Sequence, residues 1–360
     1  MSFMDRFLIL SVSLLPATVV SSGLAPPAYL SIAAATPIAS GFTTVDGPTA
    51  VATLLTATKI TAQGAVDLTA MFAGSRRPAT IWVASYDDAT ETPATAAGVL
   101  EAAAIDFGAI TTESRVSADI AALGTWVDAT QEREWSHPLF VQSAEAGLLT
   151  SGQPAALAAL QLSTVRVHYH SDSTQPQAAR EAGLVSGYPL VSGPVGARPR
   201  LAGTLPVVTS AEAAFARANF AVLLESEGYG ASASQRLLGL TRAYKGTGWT
   251  GAVTLIYAVR RMTAALQAVV SRHAILATPL FASPEGIGEA SAAVSAALAN
   301  MASVGHFLAG TAGVAPNDVA LPQGFRVVGS RSGTEILLDI TLLIGLEAET
   351  LRLKVDGEEQ

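Results

Sequence analysis

Short apolar runs alternate with helical patterns through the first half of the chain. The runs with the character of buried strands are Thr80–Tyr86, Ile105–Ile110, Pro138–Gln142 and Thr164–Tyr169. The helical patterns between them are Pro93–Ala104, Ser117–Ala129 and Gln153–Leu160. Short strands separated by helices of this length are typical of βαβ units. The pattern therefore predicts an α/β fold of βαβ type, in which a mostly parallel sheet is covered on both faces.

The second half of the chain carries longer helical patterns and ends in strands. Helices are predicted at Ser210–Glu225, Thr250–Ala274 and Pro284–Val304. Gln175–Pro206 contains five prolines and five glycines, which predicts an irregular connection. The last apolar patterns, which predict antiparallel strands, are Phe325–Val328, Glu335–Ile344 and Leu351–Val355.

These patterns divide the chain into five regions. They are an N-terminal arm with a strand (1–25), an α/β region (26–174), an irregular Pro/Gly-rich connection (175–209), a helical part of the core (210–324), and C-terminal antiparallel strands that form a second arm (325–360).

The first residues allow two interpretations. Phe7–Leu15 is apolar and rich in β-forming residues, as expected for a strand. The same run follows Arg6 and precedes small residues, as in a secretory signal peptide. Asp5 offsets the charge of Arg6, and Ser11 and Ser13 interrupt the run, which favours the strand. A strand with two apolar faces needs cover on both, so we expect it to lie in a sheet of its own chain or of a neighbour.

Composition changes the picture at the surface. Only 14% of the 360 residues are charged, against roughly 25% in ordinary soluble domains, while 50% are hydrophobic. The net charge of −8 disfavours nucleic-acid binding, and no run of about 18 consecutive apolar residues predicts a membrane span. A globular chain with this little charge is expected to share much of its surface with other subunits.

Candidate chemistry is sparse. The absence of cysteine excludes disulfides, iron–sulfur ligation and thiol catalysis. His168 and His170 lie two residues apart at the end of a predicted strand, with Asp172 just beyond, so the pair could bind zinc or iron from one face. The plainer interpretation is a strand end that leaves the core. Asp87 and Asp88 also follow a strand, where a turn is the simpler expectation than a magnesium site. No catalytic set emerges, so neither an enzyme nor a bound cofactor or metal is predicted.

Three charge clusters interrupt a chain that is otherwise poor in charge. They are Arg76–Arg77, Glu132–Glu134 and Arg260–Arg261. Charged clusters are most often solvated faces of the protein, and exposed ion pairs contribute little to stability. Ion pairs between subunits are the second interpretation, and the sequence leaves both open.

Several segments follow one another in a recognisable order. They are Phe7–Leu15, Gly41–Pro48 with a helix after it, Met71–Val83 with a basic residue and proline before the strand, Asp106–Ile110, and Tyr244–Trp249 before the longest helix. In this order they resemble the contractile-tail sheath proteins of bacteriophages, in particular a sheath-like branch of that family. The resemblance spans most of the chain, and its motifs are loose apolar patterns. A chain of this length would be a near-minimal sheath.

The resemblance implies a structural subunit without catalytic activity. Sheath subunits form six-fold rings that stack helically around a tail tube, and their contraction drives the tube through the host envelope. The implied partners are copies of the same chain, the tube protein, and the baseplate and tail terminator proteins, with no nucleic acid and no membrane insertion. The implied location is the phage tail of the virion, after assembly in the host cytoplasm.

Terminal arms that add a strand to a neighbour's sheet are also implied. Such strand addition gives main-chain hydrogen bonds that can survive large rigid-body motion. The candidate residues for this exchange are Phe7, Leu8, Ile9, Leu10, Val12, Leu14, Ile336, Leu338, Ile340, Leu342, Ile344, Leu351, Leu353 and Val355.

A second class of function stays open at this point. The signal-like start and the βαβ pattern would also suit an exported α/β protein that binds a small molecule. Sequencing of the mature N-terminus distinguishes the two hypotheses, because export would remove about 20 residues.

Overall fold

A computed structural model describes residues 24–74, 76–129, 137–150, 164–195, 201, 203–218, 221–226, 236–238, 249–277, 280–314, 317–332 and 335–344. The predicted elements Phe7–Leu15, Gln153–Leu160 and Leu351–Val355 lie outside these residues.

One seven-stranded sheet organises the first two thirds of the chain. The described strands are β1 (Ala28–Ile32), β2 (Phe42–Val45), β3 (Ile81–Tyr86), β4 (Ile110–Thr112), β5 (Leu139–Ser143), β6 (Val165–Tyr169), β7 (Ala221–Val222), β8 (Leu224–Ser226), β9 (Arg236–Leu238), β10 (Gly310–Val314), β11 (Asn317–Leu321), β12 (Phe325–Ser332) and β13 (Glu335–Leu342). The sheet has the order β2–β3–β1–β4–β5–β6–β7. Adjacent strands in this sheet are parallel, except for the antiparallel pair β2–β3 at one edge. The predicted α/β class with a mostly parallel sheet is confirmed.

Helices cover both faces of this sheet. The described helices are α1 (Pro48–Thr56), α2 (Ala62–Met71), α3 (Pro93–Ala102), α4 (Ser117–Asp128), α5 (Gly147–Thr150), α6 (Gln177–Ser186), α7 (Ser210–Ala218), α8 (Trp249–Ile275) and α9 (Pro284–Ser303). Every residue of β5 and β6 is buried, because these strands have a helical layer on each side. Cover on both faces also explains why these strands read as continuous apolar runs rather than as alternating patterns.

Local sequence fixes several helix starts. The hydroxyl of Thr61 accepts a hydrogen bond from the Gly64 N–H (3.0 Å) at the start of α2, and that of Ser283 accepts one from the Gly286 N–H (3.3 Å) at the start of α9. Both satisfy an amide that has no partner within its helix. The helices α1, α3 and α9 also carry proline in their first turn, where the missing N–H costs nothing.

Two apolar cores lie on opposite faces of the sheet. One face, with Tyr29 and Val83, packs under α1, α2 and α6, and this core continues into α8 and α9. The other face, with Leu30 and Val141, packs under α3, α4, α5 and α7. Alternate residues of each strand therefore serve different cores.

The C-terminal part joins two long helices to two hairpins. Helix α8 packs along α9, and α9 supports the β12–β13 hairpin, while β10 and β11 form a separate hairpin. By length and composition alone, Gly251–Ile275 could cross a membrane, and it is the one such helix among the described residues. Val253, Ile256 and Tyr257 of this helix are buried in the core, which accounts for its apolar character.

The predicted irregular connection is wrong over part of its length. Gln175–Pro206 contains the ten-residue helix α6 and the 3₁₀ turn Leu190–Ser192. Gly183 lies inside α6 because a Cβ there would come within 2.4 Å of the Met71 carbonyl oxygen of α2. A glycine required by helix packing thus resembled a loop signal in the sequence.

Other predicted boundaries also move. Strand β4 begins at Ile110 rather than Ile105, although Gly108 and Ala109 already bond to the main chain just before and at the start of β1. Helix α7 ends at Ala218, and the chain then enters the sheet, where Ala221 pairs with Val167 of β6. The region 210–324 is therefore not wholly helical, since it holds β7 to β11.

Candidate functional site

The β12–β13 hairpin is the part of the described structure that matches the predicted strand-exchange region. Its register runs from the pair Phe325–Leu342 to the pair Ser332–Glu335. One face packs on the core through Val327, Leu338 and Ile340, and the opposite face is exposed. Among the described residues this sheet has two strands, so each of its outer edges is without a neighbouring strand.

The hairpin directs particular main-chain groups to its open edge. The Leu343 N–H donates to the Gly324 carbonyl (2.7 Å), so odd-numbered residues of β13 face β12. Main-chain groups alternate in direction along a strand, and so Ile336, Leu338 and Ile340 direct theirs to the outer edge. An edge of this kind is a template for pairing with another strand. Pairing here would use the main chain, while the side chains of Leu338 and Ile340 hold the hairpin to its own core.

Helix α9 fixes the position of the hairpin through a close approach at Gly329. A Cβ at this position would lie 2.4 Å from the Ile287 Cγ2 and 2.5 Å from the Ser291 Oγ. Only glycine lets β12 lie this near to the helix. Gly329 is not among the predicted site residues, although an isolated glycine inside a strand pattern signals this kind of close approach.

The predicted exchange residues divide into two groups. Ile336, Leu338, Ile340 and Leu342 lie on β13, and Ile344 forms an isolated antiparallel bridge with Phe307. The other candidates, Phe7, Leu8, Ile9, Leu10, Val12, Leu14, Leu351, Leu353 and Val355, lie outside the described residues. The structure thus shows where five of the candidate residues lie within one subunit, and strand exchange through any of the candidates remains a prediction.

A layer of buried polar groups lies between the sheet and the helices α2 and α6. Asp67 of α2, which is fully buried, accepts hydrogen bonds from the Tyr29 hydroxyl (2.9 Å) and the Arg115 guanidinium (2.7 Å). Burial raises the pKa of Asp67, and the Arg115 charge opposes that rise. Glu113 accepts from the Ser31 hydroxyl, the Ile32 N–H and the Thr61 hydroxyl, and burial raises its pKa as well. These contacts fasten α2 to β1 and β4.

Strand β6 is fastened to α6 by a second buried cluster. The Glu181 carboxylate lies 3.2 Å from the Arg166 Nε and 2.8 Å from the His168 Nε2, and the three side chains are at most 1% exposed. Burial lowers the pKa of His168, although the neighbouring Glu181 carboxylate opposes that shift. The Glu181 carboxylate thus lies against both the Arg166 guanidinium and the His168 imidazole.

The structure separates the residues of the candidate His-x-His metal site. His168 is engaged with Glu181, whereas the His170 Nδ1 accepts from the Asp172 N–H (3.0 Å) and its Nε2 lies 3.2 Å from the Thr204 carbonyl. The Asp172 carboxylate accepts from Thr174 and Gln175, which lowers its pKa to about 2. Among the residues that the structure describes, no group of three or more possible ligands is arranged around a metal position.

The other charged candidates have structural partners within the chain. Asp87 accepts from the Ala89 N–H (3.0 Å) and so caps the turn after β3, as the simpler interpretation expected. Arg260 binds the Asp106 carboxylate (2.8 Å), which places this member of the Arg260–Arg261 cluster in an internal ion pair. The Arg76 guanidinium lies over the Tyr188 ring at 4.4 Å, and Arg77 is exposed. The Glu132–Glu134 cluster lies outside the described residues.

Comparison with known proteins identifies the fold. No family model matches the sequence, and no curated protein matches it. Among solved structures, a chain of the six-fold symmetrised anti-feeding prophage baseplate is 16% identical, with a TM-score of 0.63 over 100% of both chains. A chain of the contracted anti-feeding prophage helical sheath is 14% identical, with a TM-score of 0.57 over 99% of this chain and 100% of that chain.

A third structure, the sheath tail protein from Listeria innocua, is 10% identical, with a TM-score of 0.55 over 89% of this chain and 96% of that chain. The three similar structures come from sheath and baseplate assemblies, and the likeness extends over whole chains rather than over the α/β part alone. The resemblance to contractile-tail sheath proteins that the sequence predicts is therefore confirmed at the level of the fold.

Proposed function

We propose that the protein is a structural, non-catalytic subunit of a contractile tail sheath. The observation that carries this proposal is the whole-length likeness of its fold to sheath and baseplate chains. A binding protein built on a βαβ core would need only the sheet and its helices. Here the likeness to the two anti-feeding prophage chains covers 99% or more of this chain, a length that includes the two long helices and the hairpin on them.

The finer parts of the proposal concern the assembly. Copies form six-fold rings that stack helically around a tail tube, bounded by baseplate and terminator proteins, in a phage tail that assembles in the host cytoplasm. Contraction of the stack drives the tube through the envelope. The open edges of the β12–β13 hairpin support this proposal, because main-chain pairing across such an edge tolerates rigid-body movement of the partners.

In the proposed mesh, the hairpin of one subunit receives strands from its neighbours. The donor segments are the arms at 1–25 and at the end of region 325–360, of which Phe7–Leu14 and Leu351–Val355 have the apolar character of strands. The side chains of β13 stay anchored on α8 and α9. Each subunit would thus gain strands without rearranging its own core.

Sedimentation velocity and negative-stain microscopy of the purified full chain test the proposal. We expect rings or tubes that grow with protein concentration. Deletion of residues 1–15 should leave the circular dichroism spectrum of a folded α/β protein and abolish the large particles. A wild-type protein that stays monomeric at high concentration, even with tube protein added, would contradict the proposal.

A further inference from the structure

The acidic residues of this chain are concentrated in one segment. Residues 80–150 contain eleven Asp and Glu against two Arg, which gives that segment a net charge of −9. The whole chain has a net charge of −8, so the remainder sums to +1. This segment builds β3, α3, β4, α4 and β5, and its two helices of ten or more residues lie on one face of the sheet.

The structure puts most of these acidic side chains on the surface. The exposed ones are Asp87, Asp88, Glu91, Glu101, Asp106, Asp128 and Glu145. Arg115, the one Lys or Arg that the structure describes in this segment, is bound to the buried Asp67, and Asp106 pairs with Arg260 of α8. Two apolar side chains, Val99 and Val116, are also exposed on these elements, at 38% and 59%. The outer face of α3 and α4, with the loops at their ends, is thus acidic with exposed apolar positions.

Two of these carboxylates occupy positions that the fold itself disfavours. Glu101 lies in the last turn of α3, and Asp128 is the last residue of α4. A helix carries partial negative charge at its C-terminus, where basic rather than acidic residues are stabilising. Neither of these two described helices has a basic residue in its last turn. Both carboxylates are therefore unfavourable for the ends of their own helices.

The opposite face of the sheet has the complementary charge. Arg76 and Arg77 are exposed between α2 and β3, and Lys59 and Arg180 are half-buried on the same layer. The acidic groups of α2 and α6, Asp67 and Glu181, are both buried and bound within the fold.

Arg76 and Arg77 precede β3, while Glu101 and Asp128 end the helices that precede β4 and β5. Glu101, Asp106 and Asp128 therefore lie near the same end of the sheet as Arg76 and Arg77, on the opposite face, whereas Asp87, Asp88, Glu91 and Glu145 follow strands at the other end. Asp46, in the turn before α1, is an exposed acidic residue that belongs to the basic side.

We propose that the acidic face of α3 and α4 docks on the basic surface around Arg76 and Arg77 of a second copy of this chain. This inference deepens the proposed function and rests on it. Surfaces on opposite faces of one subunit make a head-to-tail contact, which each further copy can extend. Such a contact suits a stacked assembly, and its strength depends on salt because the charges are exposed.

A charge-swap experiment tests the pairing. The variant Glu101→Lys with Asp128→Lys should fold at least as well as wild type, since lysine suits a helix C-terminus. We expect it to lower the sedimenting fraction at least about tenfold at 50 mM salt, and we expect Arg76→Glu with Arg77→Glu to do the same. An equimolar mixture of the two variants should restore particles, because the reversed faces attract each other. The control Asp46→Lys should assemble like wild type.

The outcomes separate this inference from the proposed function. The docking of these two faces would be overturned if either charge-reversed variant formed particles as readily as wild type does. It would also be overturned if the mixture of the two variants stayed unassembled. Both results would leave the sheath proposal intact. A wild-type chain that does not assemble at any salt concentration would instead overturn the sheath proposal. A melting temperature for each variant, measured on the monomer, shows that a lost assembly is not a lost fold.

Discussion

At the scale of single residues, the buried cluster of Arg166, His168 and Glu181 joins the sheet to α6. The Glu181 carboxylate lies 3.2 Å from a guanidinium nitrogen of Arg166 and 2.8 Å from an imidazole nitrogen of His168, and all three side chains are buried. Removing one partner of a buried ion pair is costly because the other charge stays desolvated. The cluster therefore makes the fold dependent on residues that have no part in the proposed assembly.

We expect Glu181→Gln to destabilise the subunit by about 3 to 5 kcal/mol, because Arg166 would keep a buried positive charge without its counter-ion. Urea denaturation of the monomer measures the change. Glu289→Gln is the control, since Glu289 is only half-buried and pairs with Arg272, which is 58% exposed, and with His273. Ion pairs that water can reach contribute about 0 to 1 kcal/mol. Equal losses of unfolding free energy in the two variants would show that Glu181 contributes no more to stability than Glu289 does.

The same cluster predicts a dependence of stability on pH. Burial holds the pKa of His168 below its ordinary value of about 6.5, so the unfolded chain takes up the proton first as the pH falls. The contribution of His168 to stability is therefore complete above about pH 6.5 and is lost as the pH falls toward the folded pKa. The loss is at most about 1.4 kcal/mol per pH unit for one proton.

Comparison with His168→Gln isolates this effect. The pKa of His306 is also lowered by burial, and those of Asp67 and Glu113 are raised, but these groups are common to both proteins. We expect the free energy of unfolding of wild type to fall more steeply than that of the variant between pH 7 and pH 5.5. Parallel curves would mean that His168 has the same pKa in the folded and unfolded chains.

At the scale of elements, the sequence predicts helices and strands best where local signals are enough to decide the structure. The strand Thr80–Tyr86 and the helices Ser117–Ala129 and Pro284–Val304 lie within two residues of the observed elements. In each, an apolar pattern and a turn or cap signal agree. Prediction fails where tertiary contacts decide. The residues after Ala218 have a helical pattern but become strand, because β6 offers a free edge there.

Two glycines show why other parts of the fold could not be predicted from the sequence. Gly183 and Gly329 resemble breakers in the sequence, yet each marks the closest contact between two packed elements. Knowing that requires knowing which element lies opposite, which no local pattern contains. For the same reason the candidate site was predicted only in part. The apolar pattern of Glu335–Ile344 predicts the strand, whereas its packing on α9 and the direction of its outer edge are known only from the fold.

The close approach at Gly329 gives a prediction for the hairpin as an element. Gly329→Val should push β12 away from Ile287 and Ser291 of α9, at a cost of about 1 to 3 kcal/mol for overpacking. The next residue provides the control, because Ser330 is exposed on the opposite face and Ser330→Val should be tolerated. Thermal unfolding measures both. Adding Ile287→Ala to Gly329→Val should recover part of the loss, and no recovery would place the strain elsewhere.

At the scale of the whole molecule, low charge and open strand edges have a common explanation. A chain of which only 14% of the residues are charged has little charge for the surface of an isolated monomer. Among the described residues the outer edges of the hairpin have no partner strand, which is a further hazard because such an edge can pair with any free strand. In an assembly of copies both features are useful, since apolar surface and free main-chain groups are covered by neighbours. The acidic and basic faces would then select which neighbour covers which surface.

The open edge of β13 allows the main chain to be tested separately from the side chains. The Ile336 N–H faces the outer edge, so Ile336→Pro removes one donor for a neighbour's strand without removing a bond to β12, a placement that edge strands tolerate. Ile336→Ala shortens the same side chain and keeps the donor. We expect both monomers to fold with similar melting temperatures, and only Ile336→Pro to lose rings or tubes in sedimentation and microscopy. Since the two variants differ chiefly in that N–H, equal assembly would exclude strand addition at this edge and leave the charged faces as the main contact between copies.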